Sequence, residues 1–297
     1  MASHSKKVLI TGVNGFTGRY LAAELRARGF DVTGTARVPT DDSTIPLDVT
    51  NKNQISNVLK AVRPEFVFHL AAISFVAHSD PLEFYNVNVL GTENLLQAIS
   101  ESDLNIKKVL ISSSANIYGN SNSGLISESV QPEPINHYAC SKLVMEKVTA
   151  NFFENVPIII TRPFNYTGAG QALHFLVPKI VSHFKDKRPI LELGNLDVAR
   201  DFSSVRFVVE SYIRLMTSEV RSEIVNICSG KSHSLLEIVD FLKKVSGHNL
   251  KVVVNPNFVR KNEVKEITGD NKKLLSFFND LEVINFYQTI KEMYEAD

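Results

Sequence analysis

Tyr138 and Lys142 stand four positions apart in Tyr138-Ala139-Cys140-Ser141-Lys142, and Ser114 closes an earlier run, Ser112-Ser113-Ser114. A free phenol, with a pKa near 10, is a poor base at neutral pH. A neighbouring ammonium favours the phenolate and lowers that pKa. On a helix, the i to i+4 spacing puts the two side chains on one face, about 5–6 Å apart at Cβ. A serine hydroxyl aimed at the same point can hydrogen-bond a substrate oxygen and polarise a carbonyl. The chemistry this set could do is proton exchange at the oxygen of a carbon that gains or loses hydride. Each part also has a plain reading. Tyr-x-x-x-Lys can be an exposed helix face, and a serine run can be a polar turn after a strand.

The second constellation is Thr11-Gly12-Val13-Asn14-Gly15-Phe16-Thr17-Gly18, which contains Gly-x-x-Gly-x-x-Gly. It lies between the apolar run Val8-Leu9-Ile10 and a segment with Phe16, Tyr20, Leu21 and Leu25 at helical spacing. Gly12 permits a tight turn, Gly15 lets backbone approach a pyrophosphate, and Gly18 allows close packing of helix on sheet. The helix N-terminus adds unpaired N–H groups and the positive end of a dipole. A glycine triplet is weak evidence alone and strong evidence at a first strand-to-helix turn. At the end of the next strand, where an acidic residue would bind the ribose 2′-hydroxyl of NAD, the sequence reads Gly34-Thr35-Ala36-Arg37. Arg37 can pair with a 2′-phosphate, so NADP(H) is favoured over NAD(H). As a solvated loop residue, Arg37 would leave either cofactor open. Asp48 can accept from the adenine amino group or simply organise a turn.

Elements that would position these groups follow from periodicity. Strands are expected at 8–10, 31–35, 66–70, 108–112 and 156–161, and helices at 15–28, 54–62, 82–102 and 135–153. Alternation of this kind predicts an α/β protein with a Rossmann doubly wound parallel sheet, helices on both faces, and ligands beyond the carboxyl ends of the strands. After Arg162 the pattern loosens. Helices are expected at 173–184, 206–217, 235–245 and 283–294, with a strand at 251–254. The expected organisation is an NADP-binding domain over 1–163, with a returning segment near 201–227. A smaller α/β substrate domain occupies most of 164–297, with no flexible tether.

Composition excludes several classes. The chain has 297 residues, 44% hydrophobic and 22% charged, with 32 Lys plus Arg against 32 Asp plus Glu. Zero net charge argues against nucleic-acid or membrane-surface partners. Cys140 and Cys228 lie far apart without metal-ligand spacing, so neither a metal site nor a disulfide framework is expected. No apolar run approaches the ~20 residues that span a bilayer, and Met1 to Lys7 is too short and polar for a secretion signal. A cytoplasmic location is the expectation.

The glycine motif, His69-Leu70-Ala71-Ala72, Asn88-Val89-Leu90-Gly91-Thr92, Ser112 to Gly119, Tyr138/Lys142 and Arg162-Pro163-Phe164-Asn165 together resemble the extended short-chain dehydrogenase/reductases. The resemblance runs over nearly the whole chain. It implies catalysis by Ser114, Tyr138 and Lys142, with Lys142 also bonding the nicotinamide ribose. It implies a cofactor against Gly12, Asn14, Gly15, Phe16, Thr17 and Gly18. Further cofactor contacts would come from Asp48, Val49, Leu70, Ala71, Ala72, Asn88, Ser112, Ser113 and Pro163. Leu193 to Phe202 and Arg260-Lys261-Asn262-Glu263-Val264 are similar to the GDP-mannose dehydratase and GDP-4-keto-6-deoxymannose reductase branch, although Lys261 replaces that branch's proline. Arg200 and Arg260 would hold the GDP diphosphate through forked guanidinium groups, or form surface pairs with neighbours such as Asp201 and Glu263. The resemblance adds Ser74, Asn165, Lys179, Leu193, Asn195 and Glu263 to the substrate site. It also implies a homodimer through the helices at 82–102 and 136–153, although their apolar residues could as easily face only the sheet.

One departure selects among activities. The 4,6-dehydratases of this family carry an acidic residue two positions after the catalytic Ser or Thr; here that position is Asn116. Eliminating water needs a general acid, and an amide is not one. The leading expectation is therefore NADPH-dependent reduction of a GDP-4-keto-6-deoxy-hexose at C4, giving GDP-D-rhamnose or a related deoxy-sugar. A nucleotide-sugar 4-epimerase on tightly held NAD is the alternative, and a non-catalytic NADP-binding sensor is a third.

Overall fold

The computed structural model describes residues 5–76, 78–120, 124–259 and 264–296. The chain divides into two compact units. The first comprises Met1–Gly119, Pro132–Arg162 and Val209–Val225, and the second Asn120–Gln131, Pro163–Val208 and Asn226–Asp297.

The first unit is built on strands β1 (Lys7–Thr11), β2 (Asp31–Ala36), β3 (Thr44–Pro46), β4 (Phe66–His69), β5 (Lys108–Ser112) and β7 (Ile158–Pro163), with β11 (Glu223–Ile227) at one edge. Their order is β11-β7-β5-β4-β1-β2-β3, and the pairings from β3 through β7 are parallel. β4, β5 and β7 are nearly continuous apolar runs buried along their length, as a sheet covered on both faces requires. From β1 the chain winds outward to β2 and β3, then returns to β4 on the other side of β1 and winds on to β5 and β7. That reversal between β1 and β4 is the topological switch point, where a crevice opens beyond the strand ends.

Helix α1 (Phe16–Ala27) buries Gly18, Leu21, Ala22 and Leu25. Helix α2 (Lys52–Val62) is capped by the Asn51 side chain, which accepts from the Gln54 N–H, and buries Ile55, Val58 and Leu59. The segment 82–102 is not the single helix its periodicity predicts. It runs as α3 (Pro81–Phe84), a π-helical turn over Tyr85–Leu90, and α4 (Gly91–Ser100). The wider turn carries Asn88 inward, where its side chain bonds Ile73 and Ser141. A Cβ on Gly91 would lie 2.7 Å from Val49, so only glycine lets the resumed helix pack so closely. Helix α5 (His137–Ala150) starts on Asn136, which caps the Ala139 N–H, and buries Tyr138, Ser141, Lys142, Met145, Glu146 and Thr149. Its inward stripe is largely polar. Leu9, Val67, Val109, Ile111, Ile158 and Ile160 form the sheet's part of the core, with Ile55, Leu59, Leu95, Leu96 and Ile99 packed on it.

In the second unit, β6 (Leu125–Ile126), β8 (Asn165–Thr167), β10 (Ala199–Ser204), β12 (Ser232–Ser234) and β14 (Glu266–Gly269) form a sheet of order β12-β10-β14-β6, with β8 also paired to β10. β9 (Ile190–Leu193) and β13 (Lys251–Val254) form a separate parallel pair. Helices α6 (Leu176–Lys185), α8 (Leu235–Ser246) and α10 (Phe286–Glu295) enclose this unit's core with Leu191, Leu193 and Phe202. Helix α7 (Val205–Thr217) runs across the boundary in sequence, and α9 (Lys272–Phe277) follows β14. The buried Asp201 carboxylate organises the sheet end by accepting from Ser229 N and Oγ, Gly230 N and Gly269 N. Among the described residues, no helix is long and apolar enough to cross a membrane.

Candidate active site

The glycine turn leads from β1 into α1 at the switch point. Gly12 takes φ +74°, and a Cβ there would lie 2.8 Å from the backbone of Ala71, so turn and β4 end are in close contact. Gly18 is closed in by Gly12 and Val13, where a Cβ would come within 2.6 Å of both carbonyl oxygens. At Gly15 a Cβ would meet only the Gly12 carbonyl oxygen, at 3.2 Å, and otherwise open space. Gly15 is also the N-cap of α1, with no capping side chain and no acidic residue in the first turn. An uncapped helix N-terminus facing an opening fits a pyrophosphate. Ser113 Oγ and Thr35 Oγ1 are buried without a hydrogen-bond partner among the described residues, which also fits a polar ligand along these strand ends. Asn14 donates from Nδ2 to the Val38 carbonyl, latching the loop after β2 to the glycine turn. Arg37 is exposed at that strand's end, close enough for its charge to help hold Asp48 below the usual carboxylate range. The larger causes of that shift are the hydrogen bonds from Thr50 Oγ1 and N to Asp48.

Several expected cofactor residues act within the scaffold. Asn88 gives its amide hydrogens to Ile73 O and Ser141 Oγ and accepts from Ile73 N, so it braces the segment after Ala72. Val49 is buried in the core against Gly91, and its carbonyl accepts from Asn94 Nδ2 at 3.3 Å. His69, wholly buried, bridges Thr11 Oγ1 at 2.8 Å and Thr92 Oγ1 at 3.0 Å. The Thr92 hydroxyl already donates to Asn88 O, so it accepts from Nε2–H. Nδ1 is then an acceptor for the Thr11 hydroxyl, which in turn accepts from Ala71 N. Only the neutral imidazole satisfies this chain. Burial, with Lys142's charge as a lesser cause, pushes its pKa down to about 3.

Ser114, Tyr138 and Lys142 are all buried in the first unit, at 6%, 7% and 4% exposure. Ser114 caps a short 3-10 turn over Ala115–Tyr118, and its Oγ accepts from Asn116 N at 3.2 Å and Asn116 Nδ2 at 3.1 Å. Tyr138 packs its ring 6.0 Å from that of Phe84. Lys142 donates from Nζ to the Ser112 carbonyl at 2.7 Å. Burial lowers its pKa to about 8, against the opposing pull of Glu146. An ammonium has three hydrogens, so Lys142 keeps donors for other acceptors.

Three residues outside the expected set hold this geometry. Arg162 makes a bidentate pair with Glu146, with Nη2 at 2.7 Å and Nε at 3.0 Å, and donates from Nη1 to the Tyr118 hydroxyl at 2.8 Å. Its guanidinium lies over the Tyr118 ring. Burial disfavours the charge, and Glu146 and Tyr118 outweigh it, so the Arg162 pKa is raised. The strap ties the turn bearing Ser114 to the helix bearing Tyr138 and Lys142. Glu146 continues the Tyr138/Lys142 spacing by four, the one sequence signal that points to it.

In the second unit, Lys179 donates to the Glu192 carbonyl at 2.8 Å and sits over the Phe258 ring. Gly194 is pressed on the Phe258 backbone, where a Cβ would lie 2.2 Å from its carbonyl oxygen. Lys179, the 193–195 turn and Phe258 thus form one group. Leu193 contributes only backbone to it, because its side chain belongs to the core. Asn195 is half-buried in that turn. Arg200, on β10, donates to the Ala199 carbonyl at 2.8 Å. Asn165 donates weakly to Asp201 O at 3.4 Å, Ser74 is exposed in the first unit, and Pro163 ends β7. Arg260 and Glu263 lie outside the described residues.

A family model described as GDP-mannose 4,6 dehydratase matches residues 9–293. The chain belongs to that family. The GDP-6-deoxy-D-talose 4-dehydrogenase of Aggregatibacter actinomycetemcomitans is 40% identical to it over 293 residues, 97% of either chain. The GDP-6-deoxy-D-mannose reductase of Pseudomonas aeruginosa is 30% identical over 283 residues, 91% of this chain and 90% of that one. A solved structure from Burkholderia cenocepacia J2315 superposes with a TM-score of 0.93 at 41% identity, covering 98% of both chains. That of RMD from Pseudomonas aeruginosa with NADPH gives 0.87 at 27% identity, covering 99% of this chain and 98% of that one. The relatives that this chain matches at 40% and 30% identity are thus named for redox chemistry at a GDP-linked deoxy-sugar. In this member the position expected to carry the dehydratases' acid is Asn116, hydrogen-bonded to Ser114.

Proposed function

We propose that this oxidoreductase interconverts the C4 hydroxyl and C4 ketone of a GDP-6-deoxy-hexose, with the talo epimer as the first candidate and NADP(H) as cofactor. The reading is carried by the buried Ser114, Tyr138 and Lys142 set beside an uncapped glycine turn. Identity of 40% over 97% of both chains to a GDP-6-deoxy-D-talose 4-dehydrogenase supports the sugar. The 30% relative, named for the mannose epimer, makes the rhamno product the second candidate. Arg37 supports NADP(H), because a guanidinium suits a 2′-phosphate.

The residues that would hold the cofactor are the backbone of Gly12 to Gly18, Arg37 and Asp48, with Ser113 and Lys142 along its path. The bound nicotinamide supplies or accepts the hydride. The protein's own residues do the rest. Ser114 bonds the C4 oxygen and polarises it. Tyr138 gives that oxygen a proton in reduction and takes it back in oxidation. The charged Lys142 favours tyrosinate over neutral tyrosine. The diphosphate would be met by Arg200 and Arg260, and the rest of the nucleotide-sugar by Ser74, Asn165, Lys179, Asn195, Glu263 and the 193 backbone.

The test is purified enzyme with GDP-4-dehydro-6-deoxy-D-mannose, reading nicotinamide absorbance with NADPH and then NADH, and resolving product epimers by NMR. NADPH consumed faster than NADH, with GDP-6-deoxy-D-talose formed, is the expected result. An enzyme that consumes neither with any GDP-keto-sugar, and oxidises no GDP-6-deoxy-hexose, would refute the reading.

A further inference from the structure

Ser114 must do something specific at C4, and the structure constrains what it can do. A serine hydroxyl has one hydrogen to donate and two lone pairs to accept with. Asn116 occupies both lone pairs, with its backbone N–H at 3.2 Å and its amide Nδ2 at 3.1 Å. These are ordinary N–H···O distances. No acceptor for the Ser114 hydroxyl lies among the described residues, while the side chain is 6% exposed. A hydroxyl with both lone pairs engaged can meet a further polar group only as a donor. Ser114 would therefore accept a proton from nothing, and its hydrogen is directed at whatever oxygen enters beside it.

We propose that Asn116 is a positioning residue that commits the Ser114 hydroxyl to donation toward the C4 oxygen, so that the C4 proton is exchanged with Tyr138 alone. The inference rests on the C4-redox reading above and deepens it. In reduction, C4 gains a hydride from bound nicotinamide and the carbonyl π pair moves onto oxygen. The Ser114 hydrogen bond steadies that developing charge, and the oxygen takes the Tyr138 phenolic proton, leaving tyrosinate. In oxidation the substrate hydroxyl accepts from Ser114 through a lone pair. Its own hydrogen then faces Tyr138, whose phenolate takes the proton as the hydride leaves C4 for the oxidised nicotinamide that would be bound there. An acidic side chain at 116 would do the opposite. A carboxylate only accepts, so it would draw the Ser114 hydrogen onto itself and away from C4.

The test compares Asn116→Asp, Asn116→Ala and Ser114→Ala in the intact enzyme, reading kcat, KM for the GDP-sugar and affinity for NADPH. If Asn116 only filled space, the isosteric aspartate would be the mildest change. The proposal expects the reverse order. Asn116→Ala keeps the backbone N–H bond and loses about 10-fold in kcat, while Asn116→Asp loses about 100-fold, the scale of one misdirected donor to a developing oxyanion. KM and NADPH affinity stay within about 3-fold of the unmodified enzyme. In a Ser114→Ala background, Asn116→Asp adds little further loss, because its effect passes through Ser114. Aspartate milder than alanine, or full additivity of Asn116→Asp with Ser114→Ala, would overturn the inference while the unmodified enzyme's turnover stood. An unmodified enzyme inert toward every GDP-sugar would overturn it together with the reading beneath it.

Discussion

Acid should unfold this protein through His69. Its imidazole bridges Thr11 and Thr92 in the neutral form, with its pKa pushed down to about 3 by burial first and Lys142's charge second. In the unfolded chain the same group titrates near the ordinary 6.5. Above pH 6.5 it is neutral in both states and stability is unaffected. As pH falls, the unfolded chain binds the proton first, so stability is lost progressively from 6.5 toward 3. At ~1.4 kcal/mol per pH unit, the loss is about 2 kcal/mol at pH 5 and about 3 kcal/mol at pH 4, nearing about 5 kcal/mol below pH 3. Other groups titrate over the same range, so the comparison is with His69→Asn, which keeps a donor and an acceptor but does not titrate. Urea unfolding of both proteins at pH 7, 6, 5 and 4 isolates the difference. His69→Asn should be the weaker fold at pH 7, and the gap should close by about 2 kcal/mol on going to pH 5. Stability curves that run parallel from pH 7 to 4 would show that His69 is not a buried neutral bridge.

Three other outcomes follow from the same geometry. Glu146→Ala strands the Arg162 guanidinium at 6% exposure and should cost about 3–5 kcal/mol in urea unfolding, whereas Glu146→Met with Arg162→Met should cost less than the two single changes summed. With the Lys142 pKa at about 8, turnover that needs its ammonium should fall as pH rises through 8; Glu146→Gln removes the charge that raises this pKa and should move that limb of the kcat profile to lower pH. Tyr138→Phe should lower kcat by about 10²–10⁴-fold while NADPH affinity, read by fluorescence titration, is retained.

The first unit's layers were legible because β4, β5 and β7 are buried apolar runs and α1, α2 and α4 carry apolar residues at helical spacing. The second unit was harder to read. β6, β8, β12 and β14 have two to four residues each, too few for alternation to register, and they pair with partners far away in the chain. β3 and β11, at the sheet's edges, escaped for related reasons: one has three residues, and the other follows a helix with no turn signal of its own. The break in 82–102 was hidden because Asn88 and Gly91 fit a helical pattern; their reasons for departing from it, Ile73, Ser141 and Val49, lie elsewhere in the chain.

The order of residue types along the chain was enough to raise the expectation of a phosphate cradle, and to place a phenol with an ammonium four positions on and an amide where an acid would serve elimination, because all of these are local spacings. The fold alone decided what each of those groups touches. Both Ser114 lone pairs are taken by Asn116, Glu146 is locked to Arg162 under Tyr118, and His69 is confined to one neutral tautomer between two threonines. Apart from the short Ser114–Asn116 turn, these contacts join residues 16 to 58 positions apart. Their energies come from burial and from satisfying polar groups away from water. Neither quantity exists until the strands and helices have closed around them.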